Sequence, residues 1–135
     1  MSRVFADTFY FLALLNQNDA AHGQAIQFSE SHDPAILTTA WVLTELANGL
    51  SRSAHRGAFG RLLNSLKADP HTVIVPPTES LFEKGVERYC ARPDKEWSLT
   101  DCISFIVMEE HGLTDALTAD HHFEQAGFRT LLRQG

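Results

Sequence analysis

The chain has 135 residues, 44% of them hydrophobic and 21% charged. That balance fits one domain with its own core, spanning residues 1–135, rather than a disordered chain. The formal net charge of −6 argues mildly against a nucleic-acid binder. It does not decide the matter, because acids that ligate cations reverse the local field.

Val4-Phe5-Ala6 is a short apolar run that reads as a buried strand ending at Asp7. Phe11, Leu12, Leu14 and Leu15 predict a short helix after it. A second helix is expected from Asp19 or Ala20 to about Ser31, with Ala21, Ala25, Ile26 and Phe28 inward, broken by Asp33-Pro34. Ala35 to Thr38 reads as the next strand. Thr39 to Leu50 is a strong helix pattern carrying Trp41, Val42, Leu46 and Leu50, and Arg56 to Leu66 is another.

Thr72 to Val75 is a β-branched strand closed by Pro76-Pro77. Glu79 to Ala91 is helical, with Phe82, Val86, Tyr89 and Cys90 expected inward. Ser98 to Glu110 is a helix stopped by His111-Gly112. Ala116 to Ala119 is a strand running into Asp120, His121 to Gln125 a short helix, and Arg129 to Leu132 an edge-like strand. Strands alternating with helices imply a mostly parallel sheet covered on both faces, with ligands beyond the carboxyl ends of the strands.

Several chemistries find no support. The two cysteines, Cys90 and Cys102, form no C-x-x-C pair and read as part-buried thiols of a reducing compartment. The seven histidines include no H-E-x-x-H, and there is no P-loop or G-x-S-x-G elbow. The adjacent His121 and His122 are expected to diverge on their helix and to be surface residues rather than ligands. The run Phe9 to Leu15 is too short for a signal-peptide core, and no stretch is long enough to span a bilayer, so a cytoplasmic protein with no membrane partner is expected.

Four carboxylates stand out. Asp7 and Asp120 follow strands and fall at the carboxyl edge of the sheet. Asp101 lies in the first turn of its helix. Glu45 lies mid-helix beside Leu43 and Leu46, where burial is costly unless the carboxylate is paired or metal-bound. Hard oxygen donors of this kind select Mg²⁺, Mn²⁺ or Ca²⁺. Each aspartate also has a plain alternative: Asp7 and Asp120 can cap the following helix, and Ser98-x-x-Asp101 reads as a capping-box variant. Glu45 has no cap to make, though a solvated stripe with Asn48, Gly49 and Arg52 fits the same spacing. Asp19, Asp33, Asp69 and Asp94 lie beside turn residues and read as turn formers.

Four segments together resemble the PIN-domain family, and most closely its small VapC-type toxins. They are Val4-Phe-Ala-Asp7-Thr8, Leu43-Thr-Glu45-Leu-Ala-Asn-Gly-Leu50, Trp97-Ser-Leu-Thr-Asp101-Cys-Ile-Ser-Phe105, and Ala116-Leu-Thr-Ala-Asp120-His-His-Phe123 with Gly127-Phe128 after it. The resemblance spans almost the whole chain. It implies a three-layer α/β/α sandwich on a five-stranded, mainly parallel sheet. It also implies Mg²⁺- or Mn²⁺-dependent RNA cleavage leaving a 5′-phosphate and a 3′-hydroxyl.

By motif position, Asp7, Glu45, Asp101 and Asp120 take the catalytic, metal-binding roles. Thr8, Ser98 and Thr118 supply supporting hydroxyls next to them. Arg52 and Arg56 are weaker candidates for holding the RNA backbone, and solvated surface arginines explain them equally well. The resemblance further implies a cognate antitoxin and a homodimer. Two other readings stay open at this point, a PIN nuclease of RNA processing outside any toxin pair and a catalytically silent binding module. A phosphatase is disfavoured, because Asp7-Thr8-Phe9 lacks the second acid of a D-x-D pair.

Overall fold

The computed structural model describes residues 3–31 and 35–134; the break expected at Asp33-Pro34 lies outside these residues. In chain order the elements are β1 (Val4–Ala6), α1 (Thr8–Leu15), α2 (His22–Ser31), β2 (Ile36–Thr39), α3 (Ala40–Gly49) and α4 (Ser53–Ala68). These are followed by β3 (Val73–Val75), α5 (Glu79–Ala91), α6 (Leu99–Glu110), β4 (Asp115–Leu117), α7 (His121–Gln125) and β5 (Arg129–Thr130). Among the described residues, no helix is long and apolar enough to cross a membrane.

The strands form one sheet in the order β3-β2-β1-β4-β5, and every pairing is parallel. From β1 the chain builds outward through β2 to β3, then returns to the other side of β1 for β4 and β5. Right-handed crossovers in the two directions put helices on opposite faces, which gives three layers. The reversal makes the gap between β1 and β4 the topological switch point, where the carboxyl ends of adjacent strands leave a crevice.

The local signals explain most boundaries. The Thr39 hydroxyl accepts the Val42 N–H and starts α3, and the Thr78 hydroxyl does the same for α5 through the Leu81 N–H. Gly112, at φ 67°, takes the left-handed conformation that ends α6, with the Leu113 N–H reaching back to the Met108 carbonyl. Thr38, fully buried, donates its hydroxyl to the Ala6 carbonyl at 2.8 Å and ties β2 to the end of β1.

Some expectations are corrected. Helix α4 begins at Ser53 rather than Arg56, and α2 at His22 after a turn in which Asp19 accepts the Ala21 N–H. Strand β4 ends at Leu117, so Asp120 is reached after a two-residue bend rather than directly, and β5 is only Arg129–Thr130. The buried face of α5 carries Leu81 and Gly85, whereas Phe82, Tyr89 and Cys90 are exposed. The cause is Gly85. A Cβ there would overlap Ile103 Cγ1, so the missing side chain lets α6 approach closely and turns the apolar stripe partly outward. Gly85→Ala is therefore expected to lower stability by about 1–3 kcal/mol through overpacking, read as a fall in the urea midpoint. An unchanged midpoint would refute the close contact.

Candidate active site

Asp7 leaves β1 at the switch point. It occupies the position before α1 but makes no side-chain cap. Its Oδ2 instead accepts the Thr118 hydroxyl at 2.9 Å, and the residue is 6% exposed. Thr118 follows β4, the strand paired with β1, and is fully buried. The same Thr118 oxygen accepts the Asp120 N–H at 3.1 Å, so one side chain fixes both the Asp7 carboxylate and the backbone at Asp120.

Asp101 is set by a complete capping box. Its amide donates to the Ser98 hydroxyl at 3.0 Å, and its Oδ2 accepts the Ser98 N–H at 3.1 Å. The same Oδ2 lies 3.1 Å from His122 Nδ1. Asp120 does cap α7, accepting the His122 N–H on Oδ1 at 2.9 Å.

Of the two readings open for Glu45, the solvated stripe holds and the buried one does not. The residue lies on an exposed stripe of α3 with Thr44, Asn48 and Gly49, not among Leu43 and Leu46. Burial therefore gives no argument for it. It is nonetheless held, because the Thr8 hydroxyl in the first turn of α1 donates to Oε1 at 2.6 Å. Capping and ligation are thus not exclusive. Asp101, Asp120 and Glu45 each give one oxygen to a protein hydrogen bond and leave the other without a protein donor among the described residues.

The set is strongly anionic. Burial pushes the Asp7 carboxyl up to about 7; the Thr118 hydroxyl partly offsets this, and the charges of Asp101 and Glu45 add to the rise. Asp101 is also raised, first by burial and then by Asp120, against the lowering effects of Ser98 and His122. The four carboxylates thus form one electrostatic group centred on Asp7 and Asp101. Among the described residues no lysine or arginine pairs with any of them. Lys84, Arg88, Arg92 and Arg129 pair instead with Glu110, Glu109, Asp94 and Asp115. Carboxylate oxygens without a lysine or arginine partner among the described residues, flanked only by His121 and His122, are donors that a divalent cation fits.

An aromatic wedge backs the acids. Phe105, one helical turn beyond Asp101, meets the Phe123 ring edge-on at 5.0 Å, and Phe123 stands 6.1 Å from Phe5. Trp97, just before Ser98, packs edge-on against Phe105 at 5.1 Å and donates its indole N–H to Gln125. Residues adjoining Asp7, Asp101 and Asp120 thus share one rigid core, which fixes the three carboxylates relative to one another.

His122 is the site residue the sequence reading missed. Its neighbour does not diverge from it as expected: the two imidazoles are 4.5 Å apart, and ligand atoms of Asp120, His121 and His122 lie within 4.8 Å of one another. The available signal was two histidines directly after an acid of the set, at the start of a short helix. Arg52 and Arg56 are exposed at the start of α4, where Arg56 donates to the Ser51 carbonyl, and neither contacts the four acids among the described residues.

The PIN-domain family model matches residues 4–129. The chain belongs to the PIN-domain nuclease family, and within it to the VapC type. It is similar to the 23S rRNA-specific endonuclease VapC20 of Mycobacterium tuberculosis, at 32% identity over 126 residues, 93% of this chain and 95% of that protein. The crystal structure of M. tuberculosis VapC20, a sarcin-ricin loop cleaving toxin, matches with a TM-score of 0.85 at 29% identity, covering 96% of this chain and 98% of that one. VapBC2 from Rickettsia felis, bound to a promoter DNA fragment, shares the fold at a TM-score of 0.67 and 12% identity over 96% of this chain and 97% of that one.

Proposed function

We propose that this chain is a divalent-metal-dependent endoribonuclease, the toxin of a toxin–antitoxin pair. It would hydrolyse RNA phosphodiesters at a site formed by Asp7, Glu45, Asp101 and Asp120. The observation that carries the reading is Asp7: a buried carboxylate without a cationic partner, at the switch point of a parallel sheet, beside Asp101 and Glu45. The relative that is 32% identical is named for 23S rRNA, which makes a structured ribosomal loop the first substrate to test.

The free oxygens of Glu45, Asp101 and Asp120, together with the Asp7 carboxylate, would hold Mg²⁺ or Mn²⁺. When bound, such an ion supplies Lewis acidity at the phosphate and a readily ionised water. The chain's own residues do the positioning. Thr118 aims Asp7, Ser98 and His122 aim Asp101, Thr8 aims Glu45, and the α7 cap fixes Asp120. Because burial raises the Asp7 carboxyl to about 7, a cation held there would have to displace its proton, so metal affinity should weaken as pH drops below about 7.

The antitoxin, a homodimeric state and a cytoplasmic location belong to the same proposal, as does one PIN domain over the whole chain. Purified protein is expected to cut 23S rRNA with Mg²⁺ or Mn²⁺ and to stop in EDTA. Growth arrest on expression should be relieved by the protein's cognate antitoxin. Cleavage that persists in EDTA would sink the assignment. If Arg52 or Arg56 holds the RNA backbone, its alanine variant should flatten the salt dependence of binding by about one unit of slope.

A further inference from the structure

We propose that the cavity beside Trp97 binds one unpaired nucleotide of the substrate RNA next to the cleavage point; this rests on the nuclease reading above. The cavity measures about 950 Å³ and lies between the end of α5 and the start of α6. That is ample for a nucleoside and its phosphate.

Its lining has the chemistry of a nucleotide site. Tyr89 is 52% exposed, a large ring on the rim that the core does not use. Trp97 forms part of the wall and is itself immobilised by Phe105 and Gln125. Two cations converge on the indole, the Arg92 guanidinium 5.2 Å and the Lys95 ammonium 6.0 Å from the ring centroid. Arg92 is paired with Asp94; Lys95 also acts on the Asp94 carboxylate through its charge but makes no ion pair of its own among the described residues. Glu96 is the one acid in the lining. An exposed aromatic and cations lining one cavity are the groups by which proteins stack a base and hold its phosphate.

Position ties the cavity to the site. Ser98 lines it, and the Ser98 amide is the group that holds Asp101 Oδ2. A nucleotide in the cavity would therefore touch Ser98, whose amide holds Asp101, a carboxylate of the proposed metal site. Trp97 and Ser98 are adjacent, so occupation reports directly on the mouth of the site. This is a specificity contact: it accepts a base that is flipped out or unpaired and excludes a continuous duplex.

The test uses Trp97 as the reporter. Asp7→Asn silences cleavage so that the RNA stays intact, and Trp41→Phe leaves Trp97 as the only indole. Titration with a short single-stranded oligoribonucleotide is expected to change Trp97 emission saturably. Adding Tyr89→Ala and Lys95→Ala should weaken that binding by about tenfold or more. In the otherwise wild-type enzyme the same pair should raise KM for RNA and leave kcat near its normal value. Silent Trp97 emission, binding unchanged by the two substitutions, or an equal response to polyglutamate would overturn the proposal; the last result would favour a protein partner. Failure of the nuclease reading looks different, since the oligonucleotide would then bind while no RNA is cut under any metal condition.

Discussion

Asp7→Asn is expected to make the metal-free protein more stable while abolishing its RNA cleavage. The wild-type carboxylate is buried among acidic neighbours with only the Thr118 hydroxyl and the Thr8 backbone N–H as donors among the described residues, and its pKa rises from 3.8 to about 7. The unfolded chain loses this proton near 3.8 and the native state near 7, so between those values the native state holds more protons. Stability from this group is therefore lost as pH rises through that window and is level above it. The rise corresponds to at most roughly 4 kcal/mol at neutral pH. Asparagine keeps the shape and can still accept from Thr118, yet carries no charge. The melting temperature of the metal-free variant should exceed that of wild type at pH 8, and the gap should narrow as pH falls towards 4. Added Mn²⁺ should stabilise wild type and leave the variant unmoved. A variant that melts lower than wild type at pH 8 would show that the buried charge is already compensated.

Thr118→Val should be the most damaging change that removes no carboxylate. Valine has the same shape, but loses the donor to Asp7 Oδ2 and the acceptor of the Asp120 N–H. Because Thr118 is fully buried, water cannot readily replace either bond. Groups that orient ligands in this way typically matter by about 10–100-fold in metal affinity or activity. We expect a loss of that size in apparent Mn²⁺ affinity, with Thr118→Ser restoring most of it. Wild-type affinity in the valine variant would show that Asp7 is held without this hydroxyl.

Much of the fold was legible because the chain marks its boundaries with strong local chemistry. Thr39, Thr78 and Ser98 cap helices, Gly112 ends one, and β-branched runs fill β2 and β3. What periodicity could not reveal was Gly85, whose missing side chain brings α6 close and rotates the buried face of α5. Tertiary packing decided that face, and the result is an exposed Tyr89 beside a cavity.

The four acids can be singled out in the sequence, but the weight on each changes. Glu45 stood out in sequence for its apolar neighbours, yet helical geometry turns it to solvent, where Thr8 holds it. Asp7 was readable as an ordinary cap, and it is the one aspartate of the three that makes no cap. Only the pairing of β1 with β4 brings Thr118 to it, across a separation that no local pattern records. His122 was hidden for a related reason. Its meaning comes from Asp101, which reaches it through the packing of α7 on α6.

Whether Asp7, Glu45, Asp101 and Asp120 hold one functional divalent cation is decided by calorimetric titration with Mn²⁺ at pH 7. The wild-type protein is expected to bind saturably with proton release, and Asp101→Asn, whose fold should persist, to lose that binding. No heat of binding at millimolar Mn²⁺, or equal binding by the Asp101→Asn variant, would contradict such a site.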